Sequence, residues 1–249
     1  MTILLGIIKT LILLGILVII HEGGHFCIAK LCKVKVNEFS IGFGKALWSK
    51  QGKETKYSVR MIPLGGYVSL EGEDEHSDEE GSFSNSSIWK KLAIVSAGAI
   101  VNILFGLLVY FLLVTVHYGF EIALRSTGNF IVALGDSIKT LFTGGTKIDD
   151  LAGPVGITSI VSQTSSMTDF VYLLSVISLS LGITNLIPIP PLDGGKLLLY
   201  VIEAIKRKPL KEETSLKIQM LGFSFIIGLS LFVLYNDVMK LIWGNKYET

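Results

Sequence analysis

Cysteine is scarce in this 249-residue chain: Cys27 and Cys32 stand five apart and form neither a CxxC pair nor a disulfide framework. Cys27 reads as a small buried helix residue and Cys32 as a free thiol near a helix end. Charge is scarce as well, at 17% of residues with a net charge of +1, and no basic stripe with interleaved aromatics offers itself to nucleic acid. The first 25 residues lack a cationic leader and a small-x-small cleavage site, so they read as a retained span rather than a signal peptide. Apolar residues are plentiful. Half the chain is hydrophobic and the mean hydropathy is +0.58, which excludes an ordinary soluble domain and predicts a mostly α, polytopic membrane protein.

The first apolar run, roughly residues 2–30 with Lys9 as its early charge, leads into His21-Glu22-Gly23-Gly24-His25. Crossing a bilayer core takes about 20 apolar residues, so the motif lies in the membrane or at its edge. Ionisable residues at that depth are costly and mark function. On a helix, His21 and His25 fall one turn apart on one face and can bind the same Zn²⁺, with Glu22 beside them as general base on a water. The two glycines remove bulk beside the metal, for substrate approach or for helix packing.

Residues 33–70 change character. Val34–Ser40, Ala46–Ser49 and Lys56–Met61 alternate like short strands, Ile41–Gly44 forms an apolar loop, and Pro63–Val68 reads as a turn and then a strand. A small membrane-associated β-sheet is expected here, and its edge suits pairing with an extended peptide. The acidic run Glu71–Gly81, with His76, reads as a mobile solvated loop; its carboxylates and His76 make only a poor metal site. A second span covers residues 88–117, with small residues Ser96–Ala99 on its early turns and Asn102 as a polar exception that bridges helices or meets substrate. An interfacial amphipathic helix fits residues 119–143, followed by a loop with a Gly153-Pro154 turn.

A third span, residues 169–205, is broken at 185–195, where three prolines fall within Pro188–Pro191 and Asp193 follows. Broken backbone at membrane depth is tolerated only inside protein or beside a wet cavity, and a catalytic zinc needs a further ligand beyond two histidines. A basic loop at 206–211 and a fourth span at 218–243 complete one domain over residues 1–249. Lysine and arginine number ten in 30–91, three in 118–168 and five in 201–217, so the first and last segments face the cytoplasm. The motif then opens toward the cytoplasmic side and both termini lie outside.

At this point whole stretches match a known pattern: HEGGH (21–25), FSIGFG (39–44), IPLGGYV (62–68), AGAIVN (97–102), GPVGI (153–157) and NLIPIPPLDGG (185–195). The chain resembles the site-2 protease family of intramembrane zinc metalloproteases (peptidase family M50), in its regulator-of-sigma-E protease branch. That resemblance implies one Zn²⁺ per chain held by His21, His25 and Asp193, with Glu22 activating water. It also implies a sheet that presents substrate near Gly65 and Gly66, and contacts to the bound strand from Asn102 and Asn185. The substrates it implies are single-span proteins of a bacterial cell membrane, such as anti-sigma factors or remnant signal peptides. Three departures stand out. The interval 117–167 is too short for the PDZ domain usual between the second and third spans, whether by natural shortening or by deletion. Ala99 stands where the family often has Pro, and Lys196 where a His is common, the latter expected to matter little.

A divalent-metal transporter also places His, Glu and Asp inside spans, but it needs them stepping across the bilayer. Here they concentrate toward the inner side, with the outer halves of the spans expected to be bare. A metal-bound scaffold has no use for a base such as Glu22.

Overall fold

One hairpin of two long strands follows the first helix, and the remaining described elements are helices. The computed structural model describes residues 2–73, 77–143, 153–208, 210 and 212–243. In chain order these form α1 (Thr2–Leu31), β1 (Val36–Gln51), β2 (Lys56–Leu70), α2 (Ile88–Tyr118), α3 (Phe120–Phe142), α4 (Pro154–Ser162), α5 (Met167–Asn185), α6 (Asp193–Lys206) and α7 (Glu212–Trp243). Four helices are long and apolar enough to cross a membrane: α1, α2, α5 and α7. The expected mostly α membrane protein with a small sheet after its first helix is what forms.

Contacts divide the chain into two units, one of residues 11–105 and 177–222, the other of residues 1–10, 106–176 and 223–249. In the first unit, α1 ends in a closed turn: Val34 N–H bonds Ala29 C=O at 2.9 Å, with Lys33 in the left-handed region at φ 59°. That closure turns Val34 inward, where it joins Ala29, Val36, Leu70, Phe83, Ile94 and Val95 in one buried cluster. Phe83 lies just beyond the acidic run. Backbone bonds from Glu71 to Lys35 and from Lys35 to Gly81 fasten both ends of that run to the sheet, so its ends are anchored rather than free. Asp74, Glu75 and His76, including the weak metal candidate, lie outside the described residues. Cys27 is exposed, contrary to the expectation of burial, because its face of α1 is turned away from the packed cluster.

The strands run farther than expected. β1 and β2 pair antiparallel and continue through the segments read as loops, bending instead of stopping. Positive φ at Gly42, Gly44 and Gly65 permits the bends. As a result Phe39 has Val68 opposite it on one side and Tyr57 on the other, while residues 66–70 pair on one side only among the described residues. A Glu38–Arg60 ion pair at 2.7 Å and a Ser58 hydroxyl bonded to Glu38 tie β1 to β2.

After α5 the prolines stop regular helix, as expected, and α6 starts at Asp193. Its first turn folds back tightly on the break. A Cβ at Gly194 would stand 2.3 Å from the Leu186 carbonyl oxygen, and one at Gly195 2.3 Å from Pro190 N. The glycine pair therefore sets where Asp193 sits.

In the second unit, α4 begins at Pro154, so the expected Gly153-Pro154 turn is instead a helix start with proline in the first turn. Its Gly156 N–H donates to the Asp237 carboxylate of α7 at 2.9 Å. Asp237, 5% exposed, occupies the stretch expected to be bare of acids, where it caps a helix N-terminus. Lys9, the early charge of α1, donates to the Thr164 carbonyl at 2.7 Å. The helix expected at 119–143 forms as α3, and its Phe130 stacks on Tyr110 of α2 with ring centroids 4.5 Å apart.

Candidate active site

Helical spacing places His21 and His25 of α1 on one face, and the tight start of α6 brings Asp193 to them. The two Nε2 atoms are 3.3 Å apart, and Asp193 Oδ2 lies 3.1 Å from that of His21 and 3.3 Å from that of His25. All three side chains are largely buried, at 12–17% exposure. Tetrahedral zinc with bonds of about 2.0–2.1 Å sets neighbouring ligand atoms roughly 3.3–3.4 Å apart. The observed triangle matches that spacing, and two imidazoles with one carboxylate are a donor set suited to zinc. The residues fit the ion.

The imidazoles are held from behind. His25 Nδ1 donates to the Ile94 carbonyl of α2 at 2.8 Å, which leaves its Nε2 lone pair facing the triangle. The Asn102 amide stands 3.4 Å from His21 Nδ1. Close approach of α2 is what makes these contacts possible. A Cβ at Gly98 would lie 2.3 Å from His25 Nε2 and 2.8 Å from His21 Cε1, and one at Gly24 only 2.7 Å from the Ala97 carbonyl oxygen. Any side chain at Gly98 would occupy the place of the ligand atoms. Gly24 is thus consumed by helix packing, whereas Gly23 has open space around it. Neither Gly98 nor the Ile94 carbonyl stands out in the sequence: a stripe of small residues reads the same whether it serves packing or a metal site.

A cavity of about 180 Å³ joins these groups to the sheet. It is lined by His21, Glu22, His25, Ile94, Val95, Asp193 and Lys196, and by Gly66, Tyr67, Val68, Leu70 and Glu73 along and just beyond β2. Gly66 presses its backbone against α1, since a Cβ there would stand 3.1 Å from Glu22 Cγ and 3.0 Å from Val18. The edge with one free side therefore runs beside the one carboxylate of the motif. Lys196, read as a neutral replacement, is paired with Glu73 at 2.7 Å within the same cavity. It follows Asp193 by three residues and shares its helix face.

Of the remaining candidates, Gly65 bends β2 against the ring of Phe43. Asn185 is the half-buried last residue of α5 and does not line the cavity. Asn102 is 0% exposed and also stands outside the lining, directed at His21.

The chain is similar to several known proteins. The model of peptidase family M50 matches residues 9–229. A protein of Clostridium acetobutylicum provisionally named a zinc metalloprotease is 26% identical over 330 aligned positions, covering 94% of this chain and 97% of its own length. Those positions outnumber the 249 residues here, so the relative carries stretches that this chain lacks. The protease RseP of Yersinia pestis is 44% identical over 117 residues, 45% of this chain and 26% of its own length. A Vibrio cholerae protein with the same provisional zinc metalloprotease name is 50% identical over 115 residues, 44% of this chain and 25% of its own length.

Proposed function

The chain belongs to peptidase family M50, and from that membership together with the cluster geometry we propose that His21, His25 and Asp193 hold its zinc while Glu22 is its general base. It is a zinc-dependent metalloendopeptidase and a multi-pass membrane protein, and intramembrane proteolysis is its activity. The observation that carries the site assignment is the triangle of two Nε2 atoms and one carboxylate oxygen, 3.1–3.3 Å on a side, at the end of a cavity shared with Glu22 and a strand edge.

When bound, zinc polarises a scissile carbonyl and lowers the pKa of a coordinated water to about 7. Glu22 accepts the proton of the attacking water and returns it to the leaving amine. A peptide in helical form shields its amides in its own hydrogen bonds, so the substrate must first extend. Residues 66–70 offer it main-chain partners along the free side of β2, which Gly65 and Gly66 let bend and close on α1 beside Glu22. Asn185, at the end of α5, meets the bound strand beyond the cavity.

The substrates in this reading are single-span membrane proteins such as anti-sigma factors or remnant signal peptides, cut within or near the span. The site opens toward the cytoplasm of a bacterial cell and both termini lie outside, following the distribution of lysine and arginine. One domain over residues 1–249 carries the whole reaction.

The deciding experiment is cleavage of a single-span model substrate in liposomes by wild type and Glu22→Gln, with zinc measured in both. Zinc in both and cleavage in wild type alone is expected. Cleavage that survives in Glu22→Gln removes the base, and protein without zinc removes the ligand set.

A further inference from the structure

A neutral imidazole has two ring nitrogens and one proton between them. For Nε2 to present a lone pair to a metal, Nδ1 must carry the proton, and a buried N–H needs an acceptor. His25 has one, the Ile94 carbonyl at 2.8 Å. His21 has, among the described residues, only the Asn102 carboxamide beside Nδ1, at 3.4 Å. As that amide stands, its nitrogen faces the ring, an arrangement that suits only the tautomer with the proton on Nε2. Its oxygen is meanwhile buried with no hydrogen-bond partner among the described residues.

One rotation gives His21 Nδ1 an acceptor and moves the amide nitrogen to where Oδ1 stood. Turning the carboxamide by half a turn about its Cβ–Cγ bond exchanges oxygen and nitrogen without changing its shape. Oδ1 then faces Nδ1, the orphaned acceptor gains a donor, and Nε2 of His21 is freed toward Asp193 and Nε2 of His25. We propose that Asn102 is a positioning residue for His21, its carboxamide oxygen accepting from Nδ1–H so that Nε2 ligates zinc. Three further observations support a role behind the ring rather than against a peptide. Asn102 is 0% exposed, it does not line the cavity, and its own carbonyl is held by the Ser178 hydroxyl of α5 at 2.8 Å. The inference rests on the zinc assignment above.

The test measures zinc affinity of the full chain by chelator competition at fixed pH, beside kcat and KM on the model substrate. Asn102→Leu, which keeps bulk but loses the acceptor, is expected to weaken zinc binding about 10–100-fold, with KM unchanged at saturating zinc. Asn102→Asp, which keeps an acceptor oxygen, should restore most of that affinity; a general packing role would not produce this rescue. If the Leu variant does not fold, Asn102→Ala takes its place in the same comparison. Wild-type zinc affinity in the acceptor-free variant, with a raised KM instead, assigns the amide to substrate and overturns the proposal. Equal weakening by Leu and Asp overturns it too. Wild-type protein that never holds zinc refutes the ligand assignment itself, and this inference falls with it.

Discussion

Helices α1 and α7 carry nearly the same apolar signal, with mean hydropathies of 2.5 and 2.0 over their best windows, yet 28% of the first window is buried and only 6% of the second. Both are long and apolar enough to cross the membrane, but α1 is the more enclosed by protein. Gly24 of α1 admits the backbone of α2, and Gly98 of α2 leaves room for two imidazoles; in α7, Gly222 meets the Pro190 carbonyl in the helix's first half while Gly228 farther along has nothing within 4 Å of its Cβ position. Hydropathy locates the membrane. Chemistry is located by polar side chains together with the small residues that let a neighbour close over them.

The contrast can be broken hardest at Gly98. Gly98→Ala puts a methyl where His25 Nε2 stands, and that ring is pinned at its other nitrogen by Ile94. Zinc affinity should fall by at least about 100-fold, beyond the usual effect of an outer contact, and cleavage should vanish with it. Dialysis against a graded chelator series reads this directly. Gly24→Ala tests the packing alone: its methyl meets the Ala97 carbonyl, a backbone atom that cannot swing away. Overpacking of this kind costs about 1–3 kcal/mol, visible as a lowered unfolding temperature in detergent.

Smaller effects are expected in the sheet beside α1. Burial alone would raise the pKa of Glu38, but hydrogen bonds from Ser58 and Arg60 and the charges of Arg60 and Lys56 outweigh it and hold it below the usual carboxylate range. A carboxyl whose folded pKa is depressed contributes stability above its unfolded value of about 4.3. That contribution fades as pH falls through the folded value. Unfolding midpoints should therefore drop below about pH 4, and Glu38→Gln should flatten that part of the profile at a cost of about 1 kcal/mol at neutral pH. The smallest change belongs to α7. Gly228→Ala fills open space on an exposed helix face and should stabilise by about 0.5–1 kcal/mol, leaving zinc and cleavage untouched. A large loss there would mean that α7 packs more closely than its exposure indicates.

What was legible in the sequence followed from periodicity and from interruption. The imidazole pair and Glu22 could be read because helical spacing alone puts positions 21 and 25 on one face. The break at Pro188–Pro191 marked Asp193, since prolines stop a helix wherever they stand. The strands were legible as strands but not in extent, because glycines at 42, 44 and 65 signal a loop and a bend alike. Cys27 and Asp237 were misjudged because the side of a membrane helix that meets protein depends on partners distant in sequence. Gly98 carried no mark of its own, and Lys196 hid its tie to Glu73, 123 residues away.

Zinc K-edge X-ray absorption on the purified, zinc-loaded full chain tests the central claim most directly. The account predicts two imidazole nitrogens and further oxygen ligands at about 2.0–2.1 Å, with one imidazole signal lost in His25→Ala. A sulfur shell at about 2.3 Å, or a spectrum unchanged by loss of His25, would contradict it.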